Sequence, residues 1–228
     1  MKVTAIVLAA GSGKRMNSKV HKQYLLINEK PVLYYSLKAF EESSVDDVVL
    51  VVGADEIEYC KKEIVECYGF EKVRAIVEGG KERYHSVYEG LKAAEETDYV
   101  LIHDGARPFL TQDIIERTIL AVVQYCACVV GMPVKDTIKL VDDEVFAKET
   151  PDRASTWQVQ TPQAFSYELI YDAYARMLAG NEMGITDDAM VIERMTDYKV
   201  KLIEGSYRNI KITTPEDLLV AEAYLKNI

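Results

Sequence analysis

The chain has 228 residues, 49% hydrophobic and 28% charged, which suits an ordinary globular protein with enough length to bury a sizeable core. A formal net charge of −10 argues against a nucleic-acid-binding or anionic-membrane surface, so an anionic ligand would need a local cationic pocket.

The first apolar run, Val3 to Ala10, is short enough for a buried strand and too short to cross a membrane. It empties into Gly11-Ser12-Gly13 and the cations Lys14 and Arg15, with Lys19, Lys22 and Gln23 following. Glycines let backbone N–H groups close on a ligand, and a turn of such groups beside full positive charges is a seat for a polyphosphate. Neither common phosphate loop fits. A Walker A loop needs a glycine where Leu8 stands, and the dinucleotide fingerprint needs a small residue where Met16 stands.

Strand-like and helix-like segments then alternate. Helical spacing covers 31–40, 57–68, 82–95 and 112–125, and buried strands are expected at 48–52, 73–77, 99–102 and 127–130. Such alternation predicts an α/β fold, a Rossmann-like, mostly parallel sheet with helices on both faces, and ligands beyond the carboxyl ends of its strands. After Pro133 the pattern breaks. Residues 137–141 and 145–147 read as a hairpin around Asp142-Asp143-Glu144, too short to own a core, so it must lean on the body or on a second subunit. Helices follow at 167–178 and 187–195, a strand at 200–203, and a helix opened by Thr214 as N-cap, Pro215 and the acids Glu216 and Asp217. No repeat or linker is present, so a single domain, 1–228, with an inserted arm at about 134–156 is expected.

Cys60, Cys67, Cys126 and Cys128 form no CxxC and no zinc-type pattern, and Cys126 and Cys128 read as small apolar core residues of a strand. No signal peptide is expected ahead of the first strand, and a reducing, cytoplasmic compartment is expected with it.

Four clusters carry candidate chemistry. Besides the loop 11–22, Glu78-Gly79-Gly80-Lys81 leads to Ser86, where two glycines admit either a flat base or simply a charged helix start. Directly after the fourth long strand, Asp104 can bind a hydroxyl or a cation and Arg107 a phosphate, while the alternative is a salt-bridged turn. His103 at the same strand end reads as structural. The second half scatters Thr137, Lys139, Arg153, Thr161, Thr186 and Lys211 over separate loops, as a small phosphorylated polyol would require, with Thr186 serving equally well as an N-cap. No Ser-His-Asp or Cys-His nucleophile arrangement is present.

The run Leu8-Ala-Ala-Gly-Ser-Gly-Lys-Arg-Met16 with Lys22-Gln23-Tyr24 resembles the signature of nucleotidyltransferases that activate sugar and alditol phosphates. His103–Pro108, Pro133–Lys139, Gln160–Gln163, Thr186–Ala189 and Asn209–Asp217 narrow the resemblance to the methylerythritol phosphate cytidylyltransferase family, over essentially the whole chain. Ala9-Ala10-Gly11, Tyr24 and Asp188 side with that family against the ribitol phosphate cytidylyltransferases, and the 186–189 loop is expected to face the acceptor. A non-catalytic nucleotide-binding protein on the same fold is the third reading.

The resemblance implies attack of an alditol phosphate on the α-phosphorus of CTP with loss of pyrophosphate. It implies Arg15, Lys22 and Lys211 as catalytic cations, and Ala9, Ala10, Gly11, Gly13, Gly80, Lys81, Ser86 and Asp104 around the nucleotide. It implies Arg107, Thr137, Arg153, Thr161 and Thr186 around the acceptor. Mg²⁺ would be held mainly by CTP phosphates, without protein ligands. The arm would exchange with a second subunit in a homodimer, which leaves two places for Thr137 and Arg153, their own site or the partner's.

Overall fold

The structure, a computed structural model, describes residues 1–11, 21–180 and 184–226. The leading apolar run forms β1 (Val3–Leu8), and a short hairpin, β2 (Leu26–Ile27) and β3 (Lys30–Pro31), leads into α1 (Val32–Glu41). Then come β4 (Asp47–Val52) and α2 (Ile57–Tyr59), which continues as π-helical turns over Cys60–Glu66. Next in order are β5 (Val73–Glu78), α3 (Arg83–Ala93), β6 (Tyr99–Asp104), α4 (Gln112–Tyr125) and β7 (Ala127–Pro133). An arm of β8 (Leu140–Val141) and β9 (Ala147–Glu149) precedes β10 (Trp157–Ser166), α5 (Tyr167–Ala179), α6 (Asp188–Met195), β11 (Lys201–Glu204) and α7 (Pro215–Leu225).

Seven strands form the central sheet in the order β11-β7-β10-β6-β1-β4-β5. β1 lies between β4 and β6, parallel to both, so neither face nor edge of it meets water, and this is why it reads as an unbroken apolar run. Alternate residues feed two cores. Val3, Ala5 and Val7 join Leu37, Phe40 and Ile115 on the face covered by α1 and α4, and Ile6 joins Leu91, Phe165 and Tyr174 on the face covered by α3, α5 and α6. Burying one such side chain fully stabilises by about 1.5–3 kcal/mol.

The sheet is mostly parallel, as expected, but β10 runs antiparallel to both β6 and β7 and was not anticipated as a strand. Its register slips between Val159 and Gln163, around Pro162, so the alternation that marks a strand is broken where the sequence would reveal it. Running against its neighbours, β10 carries Gln160 and Thr161 to the edge where the parallel strands end.

Two expectations need correction. Cys128 is buried in β7, but Cys126 closes α4 in the left-handed conformation (φ 64°) and is only half-buried. The arm pairs Leu140 with Glu149 and Val141 with Ala147, displaced from the expected stretches because Asp142 accepts from the N–H groups of Glu144 and Phe146 and fixes the turn. The arm leaves Leu140, Val141, Val145 and Phe146 exposed. Among the described residues, no helix is long and apolar enough to cross a membrane.

Candidate active site

Two clefts open at the carboxyl edge of the sheet, and they share Arg83, Asp104 and Lys211. The first, about 500 Å³, is lined by Ala9, Ala10 and Gly11 after β1, by Lys22 and Gln23, and by Gly80, Lys81 and Ser86 at the start of α3. Its wall cannot carry larger side chains. A Cβ on Gly79 would stand 2.5 Å from the Ala10 Cβ, and one on Gly80 would stand within contact distance of His85. Ser86, 5% exposed, accepts from the Gly80 N–H at 3.1 Å and so holds the glycine turn in shape. Gln23, 1% exposed, donates to the Ala9 carbonyl and ties the Lys22 segment to the end of β1.

At the junction, three cations surround one carboxylate. Lys211 Nζ lies 2.7 Å from Asp104 Oδ2, Arg83 Nε 3.3 Å from Oδ1, and Arg107 Nε 3.8 Å from Oδ2. Burial pushes the Asp104 carboxyl up, but Arg83, Lys211 and Arg107 outweigh it and hold the group well below the usual carboxylate range. Arg83 also makes a bidentate pair with Asp188, both bonds 2.8 Å, and Asp188 accepts a further 2.6 Å bond from the Tyr174 hydroxyl. Burial opposes the charge on Arg83, but Asp188 and Asp104 more than compensate and leave its guanidinium more firmly protonated than usual. Three cations against two carboxylates leave the junction net positive, suited to anionic ligands.

His103 is fully buried beneath this junction, and burial first, with Arg107 and Lys211 adding, lowers its pKa to about 4. It is therefore neutral, and its bonds define the tautomer. Nε2–H donates to the Arg107 carbonyl at 3.3 Å, so Nδ1 accepts from the Thr161 hydroxyl at 2.9 Å, and that oxygen in turn accepts from the Asp104 N–H at 3.1 Å. The structural reading of His103 holds, and the one hydroxyl proton of Thr161 is already spent on it.

The second cleft, about 480 Å³, is lined by Arg107, Gln160, Thr161, Gln163, Thr186, Asp187, Ala189 and Met190. Gln163 joins two of the sequence motifs. Its Oε1 accepts from the N–H groups of Asp188 and Ala189, both at 2.9 Å, and its Nε2 donates to Asp187. The cap of α6 is Asp187, which accepts from Met190 N–H at 3.0 Å, so Thr186 is left exposed beside the cleft rather than capping the helix. Asp188, expected with its loop to face the acceptor, is wholly buried and paired with Arg83. Asn209, also wholly buried, donates to the Thr161 carbonyl at 2.9 Å and accepts at its own carbonyl from Arg107, which sets the loop that aims Lys211 at Asp104.

Of the expected site residues, Ala9, Ala10, Gly11, Lys22, Gly80, Lys81, Ser86, Asp104, Arg107, Thr161, Thr186 and Lys211 line the two clefts. Gly13 and Arg15 lie outside the described residues. Thr137 and Arg153 are exposed and line neither cleft of their own chain; Arg153 donates to the Lys135 carbonyl at the base of the arm. Sequence reasoning missed Arg83, which both clefts share. Its only signal was its place at the start of a helix after a Gly-Gly loop, and nothing local reveals a partner 105 residues away. Among the described residues, no group of three or more His, Cys, Asp or Glu stands ready to hold a metal ion.

Comparison with known proteins agrees over nearly the full length. The family model IspD, 2-C-methyl-D-erythritol 4-phosphate cytidylyltransferase, matches residues 3–227. A protein of that name from Lachnoclostridium phytofermentans is 53% identical over 225 residues, covering 99% of this chain and 97% of the relative. Another from Lachnospira eligens is 54% identical over 225 residues, covering 98% and 99%. The solved 4-diphosphocytidyl-2C-methyl-D-erythritol synthase of Anaerococcus prevotii superposes with a TM-score of 0.88 at 38% identity, covering 99% of this chain and 96% of that one. The chain belongs to the 2-C-methyl-D-erythritol 4-phosphate cytidylyltransferase family, nucleotidyltransferases that join CTP to this alditol phosphate in isoprenoid precursor synthesis.

Proposed function

We propose that the first cleft takes CTP, that the second takes 2-C-methyl-D-erythritol 4-phosphate, and that the two react over the Asp104 junction. The observation that carries this reading is that two clefts of similar size meet at one net-positive cluster, Arg83, Asp104, Arg107 and Lys211. The base enters against the Gly79–Gly80 turn, where close backbone approach is possible, and the ribose hydroxyls reach Asp104. The acceptor phosphate oxygen attacks the α-phosphorus in line, its new P–O bond forming as the bond to pyrophosphate breaks. No protein nucleophile is needed, and the work is positioning and charge stabilisation. Lys22 and Lys211, with Arg15, meet the charge that grows on the phosphoryl oxygens and the leaving group.

A divalent ion fits this site through the substrate rather than through the protein. Asp104 is capped by Lys211 and Arg83, and Asp188 by Arg83 and Tyr174, so the junction's carboxylates already have partners. Mg²⁺ carried on the CTP phosphates would supply screening of the triphosphate charge.

The chain acts as one unit, 1–228, with the arm at about 134–156 reaching to a second copy, as its exposed Leu140, Val141, Val145 and Phe146 favour. In that homodimer Thr137 and Arg153 serve the partner's acceptor cleft. A cytoplasmic setting goes with the free thiols, of which Cys60 and Cys128 are buried.

The test is pyrophosphate release from CTP and Mg²⁺ with methylerythritol phosphate or ribitol phosphate as acceptor. Fast release with methylerythritol phosphate alone is expected. Preference for ribitol phosphate would show the acceptor cleft misassigned, and no release with either would return the chain to a binding role.

A further inference from the structure

Glu56 lies outside both clefts and outside the motifs read from the sequence, yet three groups converge on its carboxylate, which is 16% exposed. Oε2 accepts from the Tyr24 hydroxyl at 2.9 Å and from the Gly53 N–H at 2.9 Å, and Oε1 meets His21 Nδ1 at 2.5 Å. The end of β4 is shaped to receive it. A Cβ on Gly53 would stand 2.7 Å from Glu56 Oε2, so a side chain there would displace the carboxylate. Tyr24 is fixed on its other side by Cys60 Sγ at 3.1 Å and by the edge of the Tyr59 ring, 5.1 Å between centroids.

The residues so tied are the neighbours of Lys22. His21 precedes it, Tyr24 ends the single 3-10 turn Lys22–Tyr24 that contains it, and Gln23 between them is hooked to the Ala9 carbonyl. Each tether pulls its residue toward the body of the sheet, while Lys22 itself lines the first cleft. A lysine on a four-carbon stem has wide rotamer freedom, and its charge helps a transition state only where the backbone beneath it is held.

We propose that Glu56 is a positioning residue for Lys22, clamping the turn that presents this cation to the nucleotide phosphates. The inference rests on the catalytic reading of Lys22. Glu56 touches no reacting atom in this scheme; it acts by fixing His21 and Tyr24 on either side of the lysine.

The experiment is a double-mutant cycle in steady-state pyrophosphate release, using Glu56→Gln, Lys22→Ala and the pair, with Tyr24→Phe as a milder second probe. Glu56→Gln keeps the size of the side chain but removes the charge that His21 and Tyr24 share. It is expected to lower kcat about tenfold while the KM for CTP moves less than about threefold. In the Lys22→Ala background the same change is expected to leave kcat unaltered, because the group it positions is gone. Tyr24→Phe should lower kcat by a smaller factor, and adding it to Glu56→Gln should bring little further loss. Thermal midpoints run alongside separate a folding defect from the kinetic effect. Equal losses of kcat from Glu56→Gln with and without Lys22 would overturn the positioning role, as would a raised KM at unchanged kcat. An intact kcat in Lys22→Ala alone would sink the reading of Lys22 first, and the role of Glu56 with it.

Discussion

The first cleft, proposed for CTP, is walled by backbone and small residues drawn from strand ends and their following turns: Ala9, Ala10 and Gly11 after β1, Gly80 and Ser86 after β5. The second cleft, proposed for the acceptor, is walled by side chains from loops far apart in sequence, Arg107, Gln160, Thr161, Thr186 and Lys211, brought together by an antiparallel strand and a helix cap. A flat base is gripped by removing side chains, and a wall of glycines and alanines writes a recognisable motif. A branched phosphorylated polyol would be gripped by placing polar groups around it, and each of them can come from wherever the fold supplies one. The two clefts meet only where Arg83, Asp104 and Lys211 serve both.

The sharpest way to break this comparison is to remove what the clefts share. Arg83→Met leaves Asp188, wholly buried, without its bidentate partner. Removing one member of a buried pair costs about 3–5 kcal/mol, so urea unfolding should show a loss of that size, and both substrates should bind more weakly. A variant of near-normal stability would mean that the junction is not held by this pair.

A smaller effect falls on the acceptor side, through His103. Its folded pKa of about 4 lies below the ordinary histidine value of 6.5, so between these values the unfolded chain binds the proton and the folded chain does not. Stability is therefore full above about pH 6.5 and falls as pH drops toward 4. His103 should contribute about 2 kcal/mol of loss between pH 7 and 5. Urea unfolding of the wild type and His103→Gln at both pH values isolates this loss, and an unchanged pH slope in the variant would show that His103 does not carry it.

The smallest effect should confine itself to the nucleotide side. Ser86→Ala deprives the Gly80 N–H of its acceptor and loosens the turn the base lies against. Loss of one such bond, about 1 kcal/mol, corresponds to a rise in the KM for CTP of about fivefold, with the KM for the alditol phosphate unchanged. If both constants rose together, the two clefts would not be as separate as their walls suggest.

These differences set how much could be read from the chain. Local chemistry was legible: the apolar run of β1, the alternation that announces a mostly parallel sheet, and the capping of α7. There Asp217 accepts from the N–H groups of Thr213 and Thr214 at 2.7 and 2.8 Å, as the Thr-Pro-Glu-Asp signal anticipates. The loops at strand ends were legible too, because glycine frees the backbone and proline restricts it wherever they stand. The antiparallel β10 was not, since strand order depends on which partners the folded chain supplies and Pro162 interrupts its pattern. Arg83 and Glu56 were not, because a lone charge in a sequence reads as solvated. Only the fold sets Asp188 against Arg83 and sets Tyr24 and His21 against Glu56. What each residue's own backbone and polarity dictate was present in the sequence by itself, and what depends on a partner's distance was decided by the tertiary structure alone. Electrostatic and hydrogen-bond energies turn on ångströms between atoms, and sequence separation does not record them.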